Sequence, residues 1–265
     1  VDAWTRMRVV VEGTKASLFV NGAEQPCLII NDLKHAARGG AIALWIGAGT
    51  TEATVEHSNL VAETVPLLAR CTPLIGHFQI RNRGTVGGSV AHADPAAEYP
   101  AVTLALDAEI EVLGPQGSRS IPAAEFFTGL WSTSMDPEEL LTGVSFPIWS
   151  GRCGFAIEEF ARRHGDFAMA GAVVAVELDG DDKVARSGIG LIGMGVTPER
   201  AAAAEAAVAG RAADQIDAAE VGRLAVDALE SIPSDLHGSD TYRSRVGKAM
   251  VSRAWTAAIK EALDV

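Results

Sequence analysis

The sequence predicts an α+β chain with a β-rich N-terminal segment, and three observations carry that prediction. Short β-type runs separated by turn residues fill residues 1–50. Two strand-like runs, 170–178 and 183–192, lie back to back around the acidic turn Asp179-Gly180-Asp181-Asp182. The last third is alanine-rich with Glu and Arg, a composition of strong intrinsic helix propensity.

In chain order, residues 6–11 and 16–20 read as strands joined at Gly13-Thr14-Lys15, with a second turn at Asn21-Gly22. Residues 27–30 and 40–46 complete four strands, too few to close a sandwich alone. The texture changes after Thr51. Residues 60–69 have helical spacing, with Val61, Val65 and Leu68 on one face. A glycine-rich segment, 81–89, follows, and Asp94-Pro95 reads as a cap and first turn of another helix. Strands are expected at 104–113, 141–146 and 154–160, then the 170–192 pair. Helices are expected at 198–210, 217–231 and 243–263. The three parts are 1–50, 51–150 and 151–265, with packed subdomains over 58–146 and 155–265.

Composition removes several functions. Against 34 acidic residues there are 22 basic ones, a net charge of −12, which argues against nucleic acid or an anionic membrane as partner. No run approaches the roughly 20 apolar residues of a membrane span. A secretory leader is not visible, and a cytoplasmic location is expected. Cys27, Cys71 and Cys153 are too few and too scattered for a cysteine-ligated cluster or zinc site, and read as small core residues. His77, His92 and His164 lie near the glycine-rich segment or its relatives below, whereas His35, His57 and His237 are isolated, so no metal site is expected. No side chain is assigned a catalytic role.

The segment Arg81-Asn82-Arg83-Gly84-Thr85-Val86-Gly87-Gly88-Ser89 is the most informative. Its glycines let the backbone approach a bulky ligand, and its N–H and hydroxyl groups suit phosphate oxygens. The alternative is a tight structural turn. A second pattern, Gly188-Ile189-Gly190-Leu191-Ile192-Gly193, matches the dinucleotide fingerprint in letters. It lacks a helix opening inside it and reads as a strand whose glycines allow close packing.

Three motifs together carry a resemblance. The run Gly76-His77-Phe78-Gln79-Ile80 through Thr85-Val86-Gly87-Gly88-Ser89 to His92-Ala93-Asp94-Pro95-Ala96-Ala97-Glu98, then Phe160-Ala161-Arg162-Arg163-His164-Gly165-Asp166-Phe167-Ala168, and Tyr242-Arg243-Ser244-Arg245-Val246 occur in order. Over 47–265 they resemble the FAD-binding medium subunit of molybdenum hydroxylases, the carbon monoxide and xanthine dehydrogenase type. The resemblance implies a PCMH-type FAD-binding subdomain followed by a C-terminal domain of the carbon monoxide dehydrogenase flavoprotein type. It implies an oxidoreductase subunit that moves electrons from iron–sulfur centres to an external acceptor, beside an iron–sulfur small subunit and a molybdopterin large subunit.

By that resemblance Thr85, Gly87, Gly88 and Ser89 hold the FAD pyrophosphate, with Gly76 at the start of the same run. Glu98, ten residues beyond Gly88, meets the ribose region, and Leu141 and Glu158 flank the isoalloxazine. One departure stands out. The family carries a second phosphate loop of the Ala-Gly-Gly-x-Ser kind near its N-terminus, and Ala37-Arg38-Gly39-Gly40-Ala41 is a poor substitute. Residues 4–50 instead resemble the end of a laminin-G or concanavalin-like sandwich, which makes the segment foreign to the family. Weak FAD retention, and an isolated chain without activity, are therefore expected. The alternative function is a non-catalytic carbohydrate-binding or interaction module led by that segment.

Overall fold

Alternation and turn chemistry in the first thirty residues are realised as pairing. The computed structural model describes Met7–Glu12 (β1), Lys15–Val20 (β2) and Leu28–Ile30 (β3), and then residues 43–264. The three strands form an antiparallel sheet in the order β1-β2-β3, and Glu12 pairs with Lys15. Gly13-Thr14, Asn21-Gly22, Cys27, His35 and the 37–41 run lie outside the described residues.

The chain divides into Val1–Ile42 and Ala43–Val265. The strand expected at 40–46 falls in the second unit: it is Ala43–Gly47 (β4) and it pairs with 140–147, not with the strands before it. Short helices follow at Glu52–Glu56 (α1), Asn59–Thr64 (α2) and Pro66–Cys71 (α3). The single helix expected over 60–69 is broken in two. Pro66 lacks an N–H and disfavours helical geometry at Val65, whose φ of −135° and ψ of 65° are non-helical. Val61, Val65 and Leu68 are nevertheless all buried, as the spacing predicted.

Next come Phe78–Arg81 (α4), Val86–His92 (α5) and Glu98–Ala105 (α6). Helix α6 starts later than Asp94-Pro95 implied, because the Asp94 side chain accepts from Ala96 N–H at 2.8 Å and closes a local turn first. The strand expected from 104 begins only at Glu109–Gly114 (β5). Residues up to Ala105 belong to a helix buried along its whole length, where an apolar run carries no periodicity to separate helix from strand.

Gly117–Pro122 (β6) completes a hairpin with β5, followed by Ala123–Phe126 (α7), Phe127–Gly129 (β7), Ser132–Thr133 (β8) and Leu140–Pro147 (β9). One sheet has the order β4-β9-β5-β6. Arg152–Phe160 (β10), Ala170–Leu178 (β11), Val184–Ile192 (β12) and Glu199–Arg200 (β13) form a second antiparallel sheet in sequential order. It is backed by Ala202–Val208 (α8), Ala218–Asp227 (α9) and Asp240–Asp264 (α10), where three helices were expected. No helix of the described residues is long and apolar enough to cross a membrane.

Helix α6 packs on the second sheet. Gly188 and Gly190 of β12 sit directly under it: a Cβ on Gly188 would lie 1.8 Å from the Ala105 carbonyl oxygen, and one on Gly190 2.3 Å from that of Ala101. The dinucleotide-like glycines therefore serve packing. Gly193, at φ +69°, donates its N–H to Pro95 O at 2.8 Å. Gly188→Val is expected to lower stability by about 3 kcal/mol, the upper end of overpacking costs, whereas Gly180→Ala, in open space, is near neutral. Urea denaturation of both variants checks this.

Candidate functional site

The glycine-rich segment is mostly helix, and its glycines divide their labour. Thr85 is the N-cap of α5, and its Oγ1 accepts from Gly88 N–H at 3.0 Å. Val86 N–H donates to Thr50 O and Gly87 N–H to Ala48 O, each at 3.0 Å, so α5 is stitched to the loop after β4. Gly87 is buried, and a Cβ there would stand 2.4 Å from the Ala48 Cβ. Gly88 is exposed, and Ser89 N–H continues the helix to Thr85 O at 3.0 Å. The main-chain donors expected to face a ligand are thus engaged within the protein. Thr85 and Ser89 hydroxyls and the exposed Gly88 remain as the ligand-side features.

A buried arginine fixes the approach to this segment. Arg81 binds both carboxylate oxygens of Glu56, at 2.7 and 3.0 Å, and donates to the carbonyls of Ile75 and Gly76. Hydrogen bonding from Arg81 holds the Glu56 carboxyl below its ordinary range. Gly76 has φ +48°, a left-handed conformation that favours glycine. Of the other expected residues, Leu141 is packed in the core and Glu158 is half-buried on β10 opposite Ala172.

Two carboxylates not singled out from sequence accompany Glu98. Glu52 is buried, and a Cβ on Gly84 would fall 2.6 Å from its carboxylate oxygens. Burial pushes the Glu52 carboxyl up to about 7, against the pull of Arg81. Burial, then the charge of Glu159, pushes Glu98 up to about 8, and burial pushes Glu159 up to about 7. Glu52 Oε2 and Glu159 Oε2 are buried without a hydrogen-bond partner. Neighbouring residues of a strand face opposite sides, so Glu159 rather than Glu158 carries the buried orphan oxygen. Sequence offered no signal to choose between them.

The three separated motifs meet here. The His77 and His164 rings lie 5.8 Å apart, with Gly165 packed on His77. Asp94 lines one cleft with Arg162, Asp166 and Arg243. Arg243 is buried, donating to Gly193 O at 3.3 Å and to Asp235 at 2.7 Å. Among the described residues there is no His, Cys, Asp or Glu group able to hold a metal.

Comparison with known proteins agrees with this arrangement. Residues 27–149 match the FAD binding domain in molybdopterin dehydrogenase, and 155–258 match the CO dehydrogenase flavoprotein C-terminal domain. The chain is 40% identical over 217 residues to the 6-hydroxypseudooxynicotine dehydrogenase complex subunit alpha of Paenarthrobacter nicotinovorans, covering 82% of this chain and 73% of that one. It is 33% identical over 213 residues to the carbon monoxide dehydrogenase medium chain of Hydrogenophaga pseudoflava, covering 80% and 74%. A solved structure of carbon monoxide dehydrogenase from that organism, lacking the Mo-pyranopterin moiety, superposes with TM-score 0.77 at 32% identity over 96% of this chain and 78% of that one. The likeness of the N-terminal segment to a laminin-G or concanavalin-like sandwich is not borne out, since the FAD-binding match begins at residue 27.

The carboxylate cluster sets a pH dependence. Glu52, Glu98 and Glu159 each have a folded-state pKa raised from 4.5, to about 7, 8 and 7. The folded chain therefore binds protons more tightly than the unfolded chain, and stability is fully present below about 4.5 and lost as pH rises towards 8. Thermal unfolding of the flavin-free chain should show Tm falling from pH 5 to pH 8.5. Glu98→Gln should recover on the order of 2 kcal/mol at pH 8.5 and little at pH 5; a flat Tm profile would refute the assignment.

Proposed function

Since the chain belongs to the family of FAD-binding medium subunits of molybdenum hydroxylases such as carbon monoxide dehydrogenase, we propose that it passes electrons from iron–sulfur centres on a partner chain, through its flavin, to an external acceptor. The partners in this reading are an iron–sulfur small subunit and a molybdopterin large subunit. Buried free thiols at Cys71 and Cys153 suit a reducing, cytoplasmic setting.

The observation that carries the reading is the set of buried acceptors without donors. FAD is a polyol diphosphate, and its ribityl and ribose hydroxyls are donors of the kind that Glu52 Oε2 and Glu159 Oε2 lack. Glu98 joins that acidic wall, and its raised pKa lets it serve as donor or acceptor near neutral pH. Thr85 and Ser89 supply hydroxyl donors for the diphosphate, and Gly88 keeps that surface free of a side chain. Gly87 acts differently: it lets α5 close onto Ala48 and so orients the hydroxyls. Arg81 and Glu56 keep the preceding turn in place. Bound flavin supplies the chemistry of exchanging electrons between one- and two-electron partners, and the protein supplies binding, orientation and electrostatics. The carbohydrate-binding alternative has no observation in its favour.

A titration followed by flavin fluorescence tests the role of the 85–89 segment. Gly88→Val should abolish FAD binding at a modest cost in Tm, because its Cβ meets the capping Thr85 Oγ1 at 2.9 Å and nothing else within 4 Å. Gly87→Val should instead destabilise the fold. Unchanged flavin affinity in Gly88→Val would remove the 85–89 segment from the site.

A further inference from the structure

A cleft of about 530 Å³ lies between the Asp94-Pro95-Ala96 turn, the 162–169 segment and the residues before α10. Two of its aromatic residues are unusually placed. Trp131, in the tight turn between β7 and β8, has φ +52°, a conformation costly for a bulky side chain, yet its residue is 61% exposed. Its indole N–H donates to Asp94 Oδ2 at 3.3 Å, and its ring lies nearly parallel to His92, centroids 6.2 Å apart. Phe167, on the 162–169 segment, is 70% exposed. Both rings stand exposed at the rim of one cleft.

Charge in the cleft is also uneven. Arg163 pairs with Asp166 at 3.0 Å and Arg243 with Asp235 at 2.7 Å. Asp94 is engaged by Ala96 N–H and by Trp131. Arg162 hydrogen-bonds His237 Nδ1 at 2.7 Å. Its charge also acts on Asp166, which is hydrogen-bonded by Arg163, and no carboxylate among the described residues lies within ion-pair distance of Arg162. The lining therefore offers exposed aromatic surface and one guanidinium that has no direct ion-pair partner and shares Asp166 with Arg163.

We propose that this cleft is a binding site for a planar aromatic anion, its ring against Trp131 and Phe167 and its charge against Arg162. Stacking on an exposed aromatic is worth about tenfold or more in affinity, and a guanidinium–carboxylate hydrogen bond adds a further preference for the anion. The site stands independently of the electron-transfer reading, because it is defined by residues that the cofactor assignment leaves unused.

The test is calorimetric titration of the full chain, in the presence of FAD, with 2-naphthoate and with its neutral counterpart 2-naphthamide. Flavin absorbance, recorded on the same samples, reports the cofactor reading separately. Naphthoate should bind at least tenfold more tightly than naphthamide. Arg162→Gln should bring the two within about twofold. Trp131→Gly, which relieves the left-handed strain and removes only the ring, should weaken both by about tenfold with Tm unchanged or higher. Equal affinity for the two probes, a preference that survives Arg162→Gln, no binding at all, or release of FAD by naphthoate would each overturn the proposal.

Discussion

The close approach of α6 to β12 is the constraint on which the rest of the molecule depends. A helix packed over a sheet normally stands off by the depth of its side chains. Here glycines at 188 and 190 bring helix carbonyls into the space that a Cβ would fill. Helix α6 is buried on every side, packed on β11 and β12 and against the short helices α3 and α5, and so fuses the FAD-binding half to the C-terminal half. The same device recurs behind the second sheet, where Gly154 lies under the Ala258 carbonyl of α10 and Gly222 of α9 under that of Lys248. Such contacts tolerate no added methyl group, so helix and sheet have one mutual position.

Polar anchors at the margins fix the remaining freedom. Arg200, on β13, reaches the carbonyl of Leu104 at the end of α6, with Asp107 and Glu205 as its charge partners. Arg70 of α3 meets Glu261 of α10 through both carboxylate oxygens, while Glu261 accepts from Phe155 N–H at 3.0 Å. These half-exposed pairs contribute modestly to stability on their own. Their geometric effect is larger, because each joins the two halves, Arg200 at the end of α6 and Arg70 at α3. Glu98 at the start of α6 and Glu159 on β10 are thereby held in one buried neighbourhood, although they lie far apart in the chain.

Much of the fold was legible because it rests on local signals. The 170–192 hairpin carries long apolar strands around an acidic turn, and the alanine-rich helices follow from propensity. What misled were places where local chemistry yields to burial or to a single residue. The strand expected from Leu104 starts only at Glu109, because the fully buried end of α6 has no polar face to mark where the helix stops. Pro66 divides a helix whose spacing is otherwise continuous. At the site, the motif order identified the right segments but not the division of roles. Nothing in the letters of Gly87-Gly88 says that the first glycine packs on Ala48 and the second faces outward. Glu52 was invisible for a similar reason: only the fold brings it under Gly84.

These features share a physical logic. Burying Glu52, Glu98 and Glu159 together opposes folding at neutral pH, and the left-handed backbone at Trp131 opposes it at any pH. Both are held in place by surroundings whose packing is tight enough to bear them. Interfaces such as α6 on β12 supply that rigidity, since neither a helix shift nor a strand slip is available to relieve the strain. Unfavourable terms of this kind collect where a ligand can offset them: buried carboxylate oxygens that lack donors at Glu52 and Glu159, and exposed aromatic surface beside a guanidinium without a direct ion pair. The two groups are connected through Asp94, which follows α5, bonds the Trp131 indole and lies in sequence just ahead of Glu98. A ligand that altered the position of Asp94 would therefore act on the start of α6, where Glu98 stands.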